Sequence, residues 1–229
     1  MAHTAVYHTY DEPLEMAMSW LSRSMDRDGR GSSAWTDPLG WARSYPETSG
    51  YIIPTMLKYG RRVEEEAWRT KAKDLGRWLV DIQREEGYWC GGLHPPDESN
   101  PSVFNTAQIL LGLCSLYDAT GRELWLQAAK RGGDWLIRGE TGGEWSEGHY
   151  VDRYQPDYYA RVGWPLLELG ERTQKGAYTE SAIRVLNWVV EHRSENGSFD
   201  RWGFDLGDPA PTHTIAYTLR GLLEGARVI

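Results

Sequence analysis

The chain has 229 residues, 40% of them hydrophobic, and its 33 acidic and 25 basic side chains give a formal charge of −8. That is enough material for one globular domain with a substantial core, and its field repels polyanions, so neither nucleic acid nor a membrane surface is an expected partner. Residues 1–11 show no leader pattern and no apolar run approaches the ~20 residues of a membrane span, so a cytoplasmic protein is the expectation.

Along the chain, Trp followed by an aliphatic residue recurs as Trp20-Leu21, Trp78-Leu79, Trp135-Leu136 and Trp188-Val189, with spacings of 58, 57 and 53 residues. A repeat of that length marks stacked supersecondary units. Each marker closes an amphipathic helix predicted over Pro13–Met25, Val63–Glu85, Arg122–Ile137 and Tyr178–Glu195, with apolar residues three and four apart, as in Ala72, Leu75 and Leu79. A glycine turn and an aromatic follow: Gly87-Tyr-Trp89, Gly143-Glu-Trp145 and Gly197-Ser-Phe199. Next comes a long polar loop, and then a second helix starting near Thr48, Ser102, Asp157 or Thr212, poorer in charge and richer in small residues. The units run over about 13–60, 61–121, 122–173 and 177–229, in a single domain of 1–229. With no alternation of period two, the pattern predicts an all-α fold of four hairpins, Trp-marked helices outside and small-residue helices inside.

The segment Gln83-Arg-Glu-Glu-Gly-Tyr-Trp89 resembles the Gln-x-x-x-Gly-x-Trp repeat of the α/α-toroid proteins, the superfamily of triterpene cyclases and protein prenyltransferases. Ser44–Pro54 and Thr212–Glu224 are similar to bacterial hairpin-repeat proteins associated with exopolysaccharide synthesis. The resemblance implies an α/α-toroid, a fold shared with six-hairpin glycosidases, uronate epimerases and polysaccharide lyases; one such fold hosts many chemistries. Closed toroids of this kind have more than four hairpins, so the ring is expected to be open or incomplete, and either the domain is truncated or a homo-oligomer completes it. No Asp-x-Asp-Asp motif of a terpene cyclase occurs. Cys90 and His94 lack the second ligand pair that zinc needs. Cys90 and Cys114, the only two cysteines, read as free thiols. No metal and no cofactor is expected.

Superposing the inner helices yields two polar columns in steps of four, which stay on nearly one helix face. One holds Glu47, Phe104, Asp157 and His213; the other holds Tyr51, Gln108, Arg161 and Tyr217. Small residues Gly50, Ala107, Ala160 and Ala216 lie between them, letting helices approach or leaving room for a ligand. Polar groups recurring on helices that ought to be apolar point to a lined pocket, because burying them unpaired costs about 1–3 kcal/mol each. A saccharide ligand suits these residue types. For elimination or epimerisation of a uronate, Arg161, Asn105, Gln108 and His213 would offset the carboxylate while Tyr217 or Tyr51 moves the proton. For glycoside hydrolysis, Glu47 and Asp157 would be the paired carboxyl groups, with Asp200 a further candidate. Trp35, Trp41, Tyr158 and Trp202 are candidate stacking surfaces, whereas Trp89, Trp145 and Phe199 read as hairpin packing. Arg220, whose column is apolar in the other units, reads as structural. The alternative is a non-catalytic saccharide-binding or scaffold component of polysaccharide synthesis.

Overall fold

The computed structural model describes residues 4–27, 30–96, 98, 100–151 and 154–229. Residues 1–3, read above for a leader, and Asp97 and Ser99 of the polar loop after Cys90 lie outside the described residues. The helices run α1 (Thr4–Asp26), α2 (Pro46–Val63), α3 (Glu66–Asp81), α4 (Val103–Thr120), α5 (Glu123–Gly139), α6 (Ala160–Thr173), α7 (Gly176–Glu191) and α8 (Thr212–Val228). Odd-numbered helices are the outer set and even-numbered helices the inner set. The fold is the all-α, α/α-toroid arrangement of four outer-inner hairpins that the repeat predicts. α1 carries Pro13 inside it rather than starting there. Two antiparallel ribbons sit in the loops, β1 (Ser33–Thr36) with β2 (Gly40–Ser44) and β3 (Glu140–Thr141) with β4 (Glu144–Trp145). Strands this short leave no legible alternation.

Burial follows the division into two layers. α4 is enclosed nearly all round, from Val103 through Leu116, while α3 buries one stripe of Ala72, Leu75 and Leu79. Inner helices pack side by side in the order α2, α4, α6, α8. Glycines set their spacing. A Cβ on Gly112 would stand 2.4 Å from the Gly50 carbonyl oxygen, and one on Gly221 would stand 2.4 Å from the Ala160 carbonyl carbon. The small residues therefore draw backbones together rather than vacating space for a ligand.

α2, α4 and α6 each turn into the next outer helix through two residues. The first is left-handed, Glu64 (φ 57°), Gly121 (φ 65°) or Gln174 (φ 54°), and the second is extended, Glu65, Arg122 or Lys175. That abrupt reversal makes α2–α3, α4–α5 and α6–α7 the tightest hairpin pairs.

The marker residues have a physical reason to recur. The Trp89 indole donates to the Leu79 carbonyl at 2.6 Å, and the Trp145 indole donates to the Leu136 carbonyl at 2.9 Å. In both units the aromatic after the glycine satisfies a carbonyl that its own outer helix leaves open at the C-terminus. Trp89, Trp145 and Phe199 are all buried, as hairpin packing requires. The marker Trp of the following outer helix then covers that turn: Trp135 meets Tyr88 at 5.4 Å, and Trp188 lies against Gly143.

Candidate active site

The mouth ends of the inner helices surround a cavity of about 620 Å³. α2 supplies Glu47, Thr48 and Tyr51, with Tyr45 just before it; α4 supplies Phe104 and Asn105; α8 supplies His213, Thr214 and Tyr217. Tyr158 and Tyr159 enter from the 3-10 turn ahead of α6, and the loops add His149, Tyr150 and Phe204. Ring contacts tie the walls together: Phe104 lies edge-on to Tyr158 at 5.1 Å and parallel to Tyr217 at 5.8 Å, while Phe204 meets His213 at 5.5 Å. Among the described residues lining the cavity, Glu47 is the one acid, and there is no lysine or arginine.

Glu47 is 8% exposed. Burial raises its pKa above the usual glutamate value, against the opposing pull of the Tyr45 hydroxyl and the more distant Arg161 charge. Burial also raises Tyr45, Tyr51 and Tyr158 far out of the physiological range, so these hydroxyls are donors and poor bases. His149 is already committed. The Trp145 carbonyl 2.7 Å from Nε2 only accepts, so Nε2 carries the proton, and Nδ1 accepts from the Tyr159 hydroxyl at 2.9 Å. His213, exposed at the rim, makes no hydrogen bond among the described residues.

The second column closes the cavity's inner end. Arg161 donates from Nε and Nη2 to Gln108 Oε1 at 2.9 and 2.6 Å, and Gln108 Nε2 returns a bond to the Arg161 carbonyl at 2.8 Å. The guanidinium carbon sits 4.7 Å from the Tyr217 ring centre and 5.6 Å from that of Tyr51. Tyr51, Gln108, Arg161 and Tyr217 thus meet as their register predicts. Arg161 and Gln108, however, do not line the mouth cavity.

The first column is brought together in three of its four members. Glu47, Phe104 and His213 face the cavity, and so does Asn105, whose Nδ2 donates to the Cys90 carbonyl at 3.2 Å. Asp157 does not. It is fully buried, accepting from the Arg201 backbone N–H at 2.7 Å, and Tyr158 takes its place. Asp157–Tyr159 is a 3-10 turn, whose tighter winding swings its residues off the face that an α-helix would give. Trp35 and Trp41 pair edge-on at 5.2 Å on the β1–β2 ribbon, with Trp20 5.3 Å from Trp41, away from the cavity. The Trp202 indole donates to Thr218 Oγ1 at 2.9 Å, and Asp200 accepts from Ser194 at 2.7 Å within its turn. Arg220 lies exposed on α8 with its guanidinium 5.5 Å from the Trp164 ring centre.

The sequence reading missed Tyr45, Thr48, Tyr159, His149 and Phe204. Tyr45 had a legible signal, because the residue ahead of Pro46 is held extended and so stands at the helix mouth. Among the described residues no group of three metal-ligating side chains forms, and no helix is long and apolar enough to cross a membrane. Neither Cys90 nor Cys114 is in a disulfide.

No family model matches the sequence, and no curated protein matches it. Solved structures do share the fold. A possible member of the GH105 family from Salmonella enterica serovar Paratyphi A superposes with a TM-score of 0.72 at 13% identity, over 97% of this chain and 69% of that one. A Listeria innocua protein gives 0.68 at 14% identity, over 96% and 66%. A family 76 glycoside hydrolase, a mannosidase of Bacteroides thetaiotaomicron, gives 0.57 at 16% identity, over 80% and 54%. The chain therefore spans about two thirds of the first two proteins and about half of the mannosidase. What these likenesses establish is the α/α-toroid fold.

Proposed function

We propose that the protein is carbohydrate-active: a saccharide binds in the mouth cavity and a glycosidic bond is hydrolysed, with Glu47 as the proton donor. The observation that carries this reading is the lone, buried Glu47 carboxyl, its pKa raised by that burial, among walls of tyrosine and phenylalanine. A carboxyl whose hold on its proton is strengthened by burial is the acid that a departing sugar oxygen requires, and aromatic faces suit sugar rings. The proton passes from Glu47 to the bridging oxygen. The bond to the anomeric carbon breaks with its electron pair going to that oxygen, water adds to the carbon, and its proton goes to His213, the rim base with an uncommitted ring nitrogen.

Elimination or epimerisation of a uronate is less well supported. It asks for a cation beside the substrate carboxylate and for an available base, whereas Arg161 does not line this cavity and burial keeps the Tyr51 hydroxyl protonated. The names borne by the structural neighbours, a possible GH105 member and a family 76 mannosidase, agree with a saccharide ligand. One observation favours a non-catalytic binding module instead: no second carboxylate lines the cavity among the described residues.

A panel of neutral and uronate-containing oligosaccharides separates these readings. New reducing ends without new ultraviolet absorbance are expected, with Glu47→Gln lowering turnover at least ~100-fold while binding persists. Absorbance would indicate elimination, and deuterium uptake at C5 without cleavage would indicate epimerisation. Saccharide binding with no turnover in any assay would leave the binding module.

A further inference from the structure

At the other end of the inner ring, between the later turns of α2, α4, α6 and α8, lies a second cavity of about 470 Å³. Tyr51 and Tyr217 line both cavities, so the layer they form with Arg161 is a partition. We propose that this second cavity binds a small carboxylate on the open edge of the Arg161 guanidinium.

Three observations carry the proposal. Arg161 is only 4% exposed, and it is always ionised, yet it forms no ion pair among the described residues. Gln108 Oε1 takes only the edge carrying Nε and Nη2. Nη1 makes no hydrogen bond among the described residues, and Arg161 lines the cavity. The Nη1–Nη2 edge is therefore a free planar fork of the shape that matches a carboxylate in two parallel hydrogen bonds.

The cavity's charge is also opposite to that of the chain. Four cations, Lys58, Arg161, Arg172 and Arg220, line it against two carboxylates, Glu168 and Glu224, in a protein of net charge −8. Arg172 is paired with Asp118 at 2.5 Å as well as with Glu168, and Arg220 lies 4.0 Å from Glu224. The unpaired positive charge is therefore that of Lys58 and Arg161, and both carboxylates are already engaged. Glu168 accepts from the Trp164 indole at 2.9 Å and from Arg172 at 2.6 Å, and Glu224 pairs with Arg227 at 3.0 Å. Glu47, across the partition, lines the mouth cavity and not this one, and it forms no ion pair with Arg161 among the described residues. A buried guanidinium without an anion is costly, and a bound carboxylate removes that cost. The outer rim is formed by helix C-termini, whose partial negative charge repels anions, so the ligand's place is at the deep end, against Arg161 and beneath Trp164, whose ring centre is 5.5 Å from the guanidinium carbon.

The test needs no catalytic readout. The full chain is titrated with acetate, succinate and glucuronate, with sulfate and glucose alongside, by calorimetry and by following the Arg161 guanidinium resonances. The carboxylates are expected to bind and shift those resonances, glucose to leave them unshifted, and sulfate to bind more weakly than acetate. Arg161→Met should weaken carboxylate binding at least ~10-fold. Should that variant not fold, Thr55→Trp, at an exposed lining position, narrows the cavity and should weaken carboxylate binding. Absence of carboxylate binding, undiminished binding in Arg161→Met or Thr55→Trp, or sulfate binding as tightly as acetate would each overturn the assignment. Acetate and succinate have no sugar ring, so their outcomes do not depend on whether the mouth cavity binds or cleaves a saccharide.

Discussion

Asp157 and Glu140 are buried acids with opposite consequences for stability. Burial pushes Asp157 from 3.8 up to about 6, and its Oδ1 has no hydrogen-bond partner among the described residues. Between those two values the folded chain holds a proton that the unfolded chain releases, so stability falls as pH rises through the window, by on the order of 3 kcal/mol in all. Glu140 is also subject to burial, but Arg184, the Gly143 N–H and Ser181 outweigh it and hold the carboxyl below the usual range. Its contribution is present above the unfolded pKa and is lost as the solution is acidified through the folded one. Urea denaturation at pH 4, 5, 6 and 7 checks both. Asp157→Asn should flatten the decline between pH 4 and 6 and be at least as stable as the parent chain at pH 7, whereas Glu140→Gln should be less stable at pH 7 and converge on the parent in acid. An unchanged slope in Asp157→Asn would show that this carboxyl is not the one titrating. The sequence placed Asp157 in one layer with Glu47 because steps of four assume an α-helix, and nothing in Gln155-Pro-Asp-Tyr-Tyr159 announces that the helix begins with a 3-10 turn.

The repeated turn shows the same kind of constraint one level up. Gly87 (φ 108°) and Gly143 (φ 93°) are left-handed, and a Cβ on either would meet the backbone of the next outer helix, 2.3 Å from the Arg131 carbonyl oxygen or 2.6 Å from that of Arg184. Gly197 has the same backbone sign (φ 86°), yet nothing lies within 4 Å of its added Cβ, because no further outer helix follows among the described residues. Identical glycines in the sequence therefore carry unequal loads. Gly197→Ala should cost only the left-handed penalty of about 1–2 kcal/mol. Gly87→Ala and Gly143→Ala should cost more, since α5 or α7 must move to admit the methyl group. Chemical denaturation of the three variants ranks them, and equal losses would mean that docking on the next helix contributes nothing. The marker Trp, the turn glycine and its aromatic were legible because one hairpin geometry demands them in successive units. The left-handed links at Glu64 and Gln174 were not, because neither residue type signals positive φ.

At the scale of the whole ring, the alternation of helices and the meeting of Tyr51, Gln108, Arg161 and Tyr217 were legible because a repeat converts register into position. Which cavity each side chain serves was not, because a column fixes a helix face and leaves open which end of the ring that face looks toward; Arg161 is the case in point. The width of both cavities rests on two glycine contacts, Gly112 against Gly50 between α4 and α2, and Gly221 against Ala160 between α8 and α6. Gly50, Gly112, Ala160 and Gly221 line neither cavity, yet α2 carries Glu47 and Tyr51, and α8 carries His213 and Tyr217. Gly112→Ala or Gly221→Ala should therefore overpack the ring, at about 1–3 kcal/mol, and also displace one wall of both cavities. Gly132 on α5 is the comparison, because its added Cβ meets the Trp89 ring edge at 2.9 Å and Leu110 Cδ2 at 3.0 Å and no residue of either cavity. Gly132→Ala should lower stability and leave ligand affinity intact, whereas the two ring variants should lose stability together with affinity for saccharide at the mouth and for succinate at the far end. If affinity in the ring variants stays at the parental value while their stability falls, the cavities are shaped locally and the glycine contacts serve packing alone.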